Sequence, residues 1–199
     1  MNALSFPCRR ARCERCGLPA PTCLCALAPR VDNEIEVLVL QHPSEAAEAK
    51  GSVRLLRLAL ARCKVVAGEA FDPAMLLSLL GGGVSGNALL YPGDTPETPE
   101  RTLAAPLRRL VVLDGTWRKS LRMLHANPLL QSLPRCAIAP VGPARYAALR
   151  KARRAGQLST LEATCAALAA LERAPSRYQP LLAAFEDFVE QGVARAGGR

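Results

Sequence analysis

Four cysteines fall within thirteen residues, as Cys13-x2-Cys16-x6-Cys23-x-Cys25. Clustering of this kind in a chain without a secretory signal indicates metal rather than disulfides. Thiolate sulfurs suit zinc, and four of them close a tetrahedral structural site. An iron–sulfur cluster also accepts four cysteines, but nothing else here suggests electron transfer, so zinc is the expected ion. Cys8 is a fifth candidate ligand. The surrounding segment has almost nothing to bury, so these cysteines read poorly as small apolar core residues. Cys63, Cys136 and Cys165 sit in strand or helix patterns and read as core. His42 and His125 stand alone and read as structural or exposed.

The stretch "RRLVVLDGTWRKSLRML", residues 108–124, raises a second kind of chemistry. An apolar run delivers Asp114, then Gly115, Thr116 and the chain's one tryptophan, Trp117. From Arg101 through Leu161 there are twelve Arg or Lys residues, and Asp114 is the sole carboxylate. An acid at a strand end can act as a general base, or it can simply cap the helix that follows. Trp117 offers a flat face to a nucleobase or a cation, or packs the helix onto the sheet. Arg118 and Lys119 would meet RNA phosphates. Arg145, Arg150, Lys151, Arg153 and Arg154 form the densest basic run and would track an RNA backbone, the alternative being a solvated loop.

These residues need elements to hold them. "IEVLVLQH" (35–42), "CKVVAGE" (63–69), "NALLYP" (87–92), "RLVVLDG" (109–115) and "RCAIAP" (135–140) read as strands. Helices are expected over 50–62, from Pro73 to about Leu80, over 117–125, and near 159–172 and 178–194. Gly81-Gly82-Gly83 stops the second helix, and "GDTPETPE" reads as a loop. Ser159-x-x-Glu162 is a capping box, and the helix start it marks suits a carboxylate. Strands alternating with helices imply an α/β layer with a mainly parallel sheet. Ligands gather at the carboxyl edge of such sheets. Three strand ends carry unusual residues there: "QHPSE", "LLYPGD" and "LDGTW".

The 199 residues divide into a cysteine-rich module over 1–30 and an α/β domain over 31–199. A formal net charge of +9 favours a polyanionic partner. No apolar run approaches the ~20 residues that span a bilayer. The N-terminus lacks the apolar core of a secretory signal. A cytoplasmic protein without a membrane partner is expected, and the composition fits a monomer or a homodimer equally.

With "CERCGLPAPTCLCA", "LQHPSE", "LLYPGD", "LDGTW" and "LSTLEA" in this order, the sequence resembles the DTW-domain family of tRNA-uridine aminocarboxypropyltransferases. The resemblance runs from Cys13 to about Leu171. It implies a SPOUT-like fold whose C-terminal part forms a trefoil knot holding S-adenosylmethionine. It also implies transfer of the 3-amino-3-carboxypropyl group to N3 of a tRNA uridine, with release of methylthioadenosine. On this reading Asp114 and Trp117 are catalytic. The cofactor meets Leu90, Tyr91 and Pro92, then Leu113, Gly115 and Thr116, and its carboxylate meets the helix start at Leu158, Ser159 and Thr160. Where the family has Lys-Asn-Thr, this chain has Lys50-Gly51-Ser52; where it has Tyr-Arg-Leu-Arg, Tyr146 to Arg150 read "YAALR". The acid often found before "LSTLEA" is missing. Two other readings remain: an RNA methyltransferase with the same cofactor and fold, and a non-catalytic zinc-containing RNA-binding protein.

Overall fold

The computed structural model describes residues 12–46, 48, 52–92, 106–137 and 158–197, with the backbone alone over 192–197. Five strands form one parallel sheet: β1 (Glu36–Gln41), β2 (Cys63–Ala67), β3 (Asn87–Leu90), β4 (Arg109–Asp114) and β5 (Arg135–Cys136), in the order β2-β1-β4-β3-β5. The helices are α1 (Pro43–Ala46), α2 (Ser52–Ala59), α3 (Pro73–Leu79), α4 (Trp117–Ala126), α5 (Pro128–Gln131), α6 (Thr160–Leu171) and α7 (Gln179–Gly197). β5 ends at Cys136: Ala137 of the expected 135–140 strand is described outside it, and 138–140 lie outside the described residues.

β1 and β4 are the centre of the sheet and are buried on both faces, which explains why they read as unbroken apolar runs. Alternation along each strand then assigns every side chain to a layer. Val37, Val39, Leu110 and Val112 face α2, α6 and α7, packing with Leu55, Leu56, Leu161, Leu168 and Leu181. Leu38, Leu40, Val111 and Leu113 face the other way, onto Leu76, Met123, Leu124 and Leu130. Gln41 and Asp114 continue the first series by parity. They are register partners at the ends of their strands, so two polar groups arrive side by side at the carboxyl edge.

Local chemistry fixes the helix ends. Asp72 caps α3 by accepting from the Met75 amide, with Pro73 in the first turn. The helix stops at Gly81 (φ 79°) and Gly82 (φ 84°). Their amides close on the Ser78 and Leu77 carbonyls at 3.0 and 2.9 Å, the paired bonds of a left-handed helix terminus. α6 opens on the expected box: Ser159 Oγ accepts from the Glu162 amide at 3.2 Å, and Glu162 accepts from the Ser159 amide at 2.7 Å. Glu172, whose side chain is 1% exposed, ties the far end of α6 to the start of β1. Its Oε1 accepts from the Glu34 and Ile35 amides, both at 2.9 Å, and its Oε2 from Arg177 at 2.6 Å and Tyr178 at 2.5 Å.

The cysteine segment carries its own small apolar cluster, Cys16, Leu18 and Leu24, which rests on Leu58 of α2 and Phe188 of α7. Among the described residues, no helix is long and apolar enough to cross a membrane.

Candidate functional site

Asp114 ends β4 with 8% of its surface exposed. Its two oxygens are held by different elements. Oδ2 accepts from Gln41 Nε2 at 2.9 Å, and Oδ1 accepts from Thr160 Oγ1 at 2.6 Å. The Asp114 carbonyl in turn accepts from the His42 amide at 2.9 Å. One side chain therefore joins the ends of β1 and β4 to the start of α6. The helix cap is a different residue: Thr116 Oγ1 accepts from the Lys119 amide at 3.4 Å. The capping alternative for Asp114 is thus taken by Thr116.

The turn between β4 and α4 is tight. A Cβ on Gly115 would lie 3.0 Å from Lys119 Cβ, so glycine lets the helix start close to the strand end. Trp117 follows as the first residue of α4 and is 59% exposed, which removes it from the core. Its ring stacks on Tyr91, with centroids 5.3 Å apart and planes 16° from parallel. Arg135 covers the same tyrosine ring, its Cζ 5.1 Å from the centroid. Burial raises the Tyr91 phenol, whose oxygen is enclosed without a hydrogen-bond partner among the described residues. The ends of β3 and β4, with the start of α4, thus bring an acid and two stacked aromatics to the same sheet edge.

The expected cofactor residues divide. Tyr91, Pro92, Gly115 and Thr116 line the carboxyl edge, and Leu158 is exposed just before Ser159 and Thr160. The side chains of Leu113 and Leu90 pack into the two core layers, so only their backbones remain for a ligand. Arg118 is exposed. Lys119 pairs with Glu45 at 2.7 Å, clamping α4 to α1. Arg145, Arg150, Lys151, Arg153, Arg154 and Cys8 lie outside the described residues. The motif "QHPSE" marks this edge in the sequence, but Gln41 and Glu45 are not among the site residues expected from it. A buried amide at the end of an apolar strand was the signal for Gln41. Also at this edge, His42 Nε2 lies 3.2 Å from Glu69 Oε2, and Glu69 pairs with Arg122.

The four expected cysteines come together. Their sulfurs all lie within 4.8 Å of one another, with Cys13 to Cys25 at 3.6 Å and Cys16 to Cys23 at 3.7 Å. Sulfurs on a tetrahedral zinc with bonds of ~2.3 Å stand about 3.8 Å apart, so this set fits a metal ion. Backbone donors, the Cys16 amide first, draw the Cys13 thiol down to about 6, while desolvation pushes Cys25 up to about 12. A cation among the sulfurs removes that asymmetry by taking all four as thiolates. Cys63, Cys136 and Cys165 are different: burial, the largest cause for each, pushes them up to about 12, 11 and 12, as expected of inert core thiols.

The DTW domain family matches residues 10–192, and the chain belongs to it. It is 31% identical over 185 residues to tRNA-uridine aminocarboxypropyltransferase 2 of Drosophila melanogaster, covering 88% of this chain and 72% of that protein. The proteins of the same name from Macaca fascicularis and Mus musculus are each 30% identical, over 176 and 173 residues. In both cases 83% of this chain is covered, and the chain spans 58% of the relative's length. No solved structure shows significant similarity to the chain.

Proposed function

We propose that this protein transfers the 3-amino-3-carboxypropyl group of S-adenosylmethionine to N3 of a uridine in tRNA. The observation that carries the reading is the arrangement at the sheet edge: a buried, doubly anchored Asp114 beside an exposed Trp117 stacked on Tyr91. The names of the three relatives support it. A helix-packing tryptophan would be enclosed, and a capping aspartate would hold its own helix; neither description fits these two residues.

When bound, S-adenosylmethionine supplies a sulfonium whose bond to the aminocarboxypropyl Cγ breaks with both electrons going to sulfur, leaving methylthioadenosine. The chain's own residues do the rest. Asp114 receives the N3 proton of uridine as the new N–C bond forms and later releases it to solvent, or its charge balances the sulfonium. Gln41 and Thr160 hold the carboxylate in one orientation, which matters because a misplaced base loses most of its effect. Trp117 presents its open face to the uracil or adenine ring. On this reading Tyr91, Pro92, Gly115 and Thr116 hold the adenosine, and Arg118 and the basic residues of 150–154 meet phosphates.

Within the same reading the four cysteines hold a structural zinc, in a module over 1–30 that docks on a catalytic domain over 31–199. The fold is SPOUT-related, with a C-terminal trefoil knot. A cytoplasmic setting suits its free thiols and its tRNA substrate. The test is the thioether released on incubation with tRNA and S-adenosylmethionine. Methylthioadenosine supports aminocarboxypropyl transfer; S-adenosylhomocysteine would make the protein a methyltransferase.

A further inference from the structure

We propose that the cavity between the cysteine segment and the end of β1 receives the amino-acid tail of the group donor, with Arg54 taking its α-carboxylate. This assignment rests on the transferase reading above and names a part of the site that the acid and the stacked aromatics do not provide. The cavity measures about 260 Å³, and its wall includes Gln41, Glu45 and Arg54.

An α-amino acid is a zwitterion. It needs a cation for its carboxylate and acceptors for its ammonium, whereas a phosphate needs cations alone. The wall has this mixed character: Arg15, Arg54 and Arg57 stand among Glu14, Glu48 and Glu45, the last already paired with Lys119. Arg54 Nη1 is enclosed and has no hydrogen-bond partner among the described residues. Arg109 Nε and Arg135 Nη1 are enclosed and unpartnered as well, but neither lines this cavity. The planar fork of arginine matches carboxylate and phosphate alike, and the acids beside Arg54 favour the zwitterion. The neighbouring Arg57 is already engaged, giving Nη2 to the Arg15 carbonyl at 2.9 Å.

Position agrees with chemistry. Gln41 lines the cavity and also donates to Asp114, so a single side chain separates the tail-binding space from the carboxylate. The start of α6 is the other place for a carboxylate, but the capping box already occupies the Ser159 and Glu162 amides. No comparable engagement holds Arg54 Nη1.

Calorimetric titration of the full chain tests the assignment, with S-adenosylmethionine, methylthioadenosine and tRNA as separate probes. Methylthioadenosine lacks the amino-acid tail. Arg54→Gln should weaken S-adenosylmethionine by about tenfold or more, the loss of one charge-assisted pair, while methylthioadenosine and tRNA affinities hold. Arg54→Lys should recover part of the loss, and it carries the test if the glutamine variant fails to melt cooperatively. Unchanged S-adenosylmethionine affinity would overturn the proposal, as would equal loss of both nucleosides. A loss confined to tRNA would make the cavity a phosphate site and overturn it too. Methylthioadenosine release by the wild-type protein separates the two levels. Turnover with an indifferent Arg54 sinks the cavity assignment alone; no turnover sinks the reading beneath it.

Discussion

Thr160, the first residue of α6, gives its hydroxyl to Asp114, the last residue of β4, across 2.6 Å. With Gln41 on the other oxygen, this bond makes Asp114 an acceptor twice over and fixes its plane. Asp114→Asn keeps the shape but turns one of those oxygens into a donor, and removes the charge. Turnover should fall about a hundredfold or more, the span typical of a lost general base. S-adenosylmethionine affinity should persist if Asp114 is a base and weaken if it is a counter-charge. Activity within a few-fold of wild type would leave Asp114 an anchor between strands and helix.

Trp117 makes a contrasting forecast because its ring is mostly in solvent. Trp117→Ala should leave the melting temperature nearly unchanged, while binding of a ring substrate weakens by about tenfold, the cost of one lost aromatic stack. Trp117→Phe should retain most of the binding. A large drop in thermal stability with intact binding would mean that the Tyr91 stack serves packing instead.

The cysteine cluster should carry one zinc per chain when the protein is purified without added metal. Elemental analysis checks this, and a stoichiometric iron signal would contradict it. Stripping the metal with a chelator should lower the melting temperature and loosen the contacts with Leu58 and Phe188 first, because the segment has little apolar area of its own.

Glu172 tests the frame that holds α6 in place. Its buried carboxylate serves two amides, a guanidinium and a phenol, so Glu172→Ala takes the acceptor from four donors, of which Arg177 keeps Glu34 at 2.9 Å. Loss of about 3 kcal/mol of unfolding free energy is expected, measured by denaturant titration. A change under about 1 kcal/mol would show that water replaces the carboxylate there.

How far the sequence reveals this molecule depends on the range of each interaction. β1 and β4 are legible because central parallel strands are apolar on both faces, and α6 because a capping box lies within four residues of itself. α5 was missed: it is a single turn following Asn127, too short to show a periodicity. The metal site is legible since its ligands are close in the chain. The node at Asp114 is not, since Gln41 and Thr160 come from 73 and 46 positions away, the first brought by the sheet register and the second by the docking of α6. Trp117 was equally ambiguous, because its partner Tyr91 belongs to another strand. Nothing in a local window distinguishes a stacked, exposed tryptophan from a buried one.

The most direct test of the account follows the carbon. S-adenosylmethionine labelled in the aminocarboxypropyl chain is incubated with the protein and tRNA, and the digested nucleosides are examined by mass spectrometry. The account predicts that the label appears on a uridine, attached at N3, with unlabelled methylthioadenosine as the other product. Label retained in S-adenosylhomocysteine, with a methylated nucleoside in the tRNA, would contradict it.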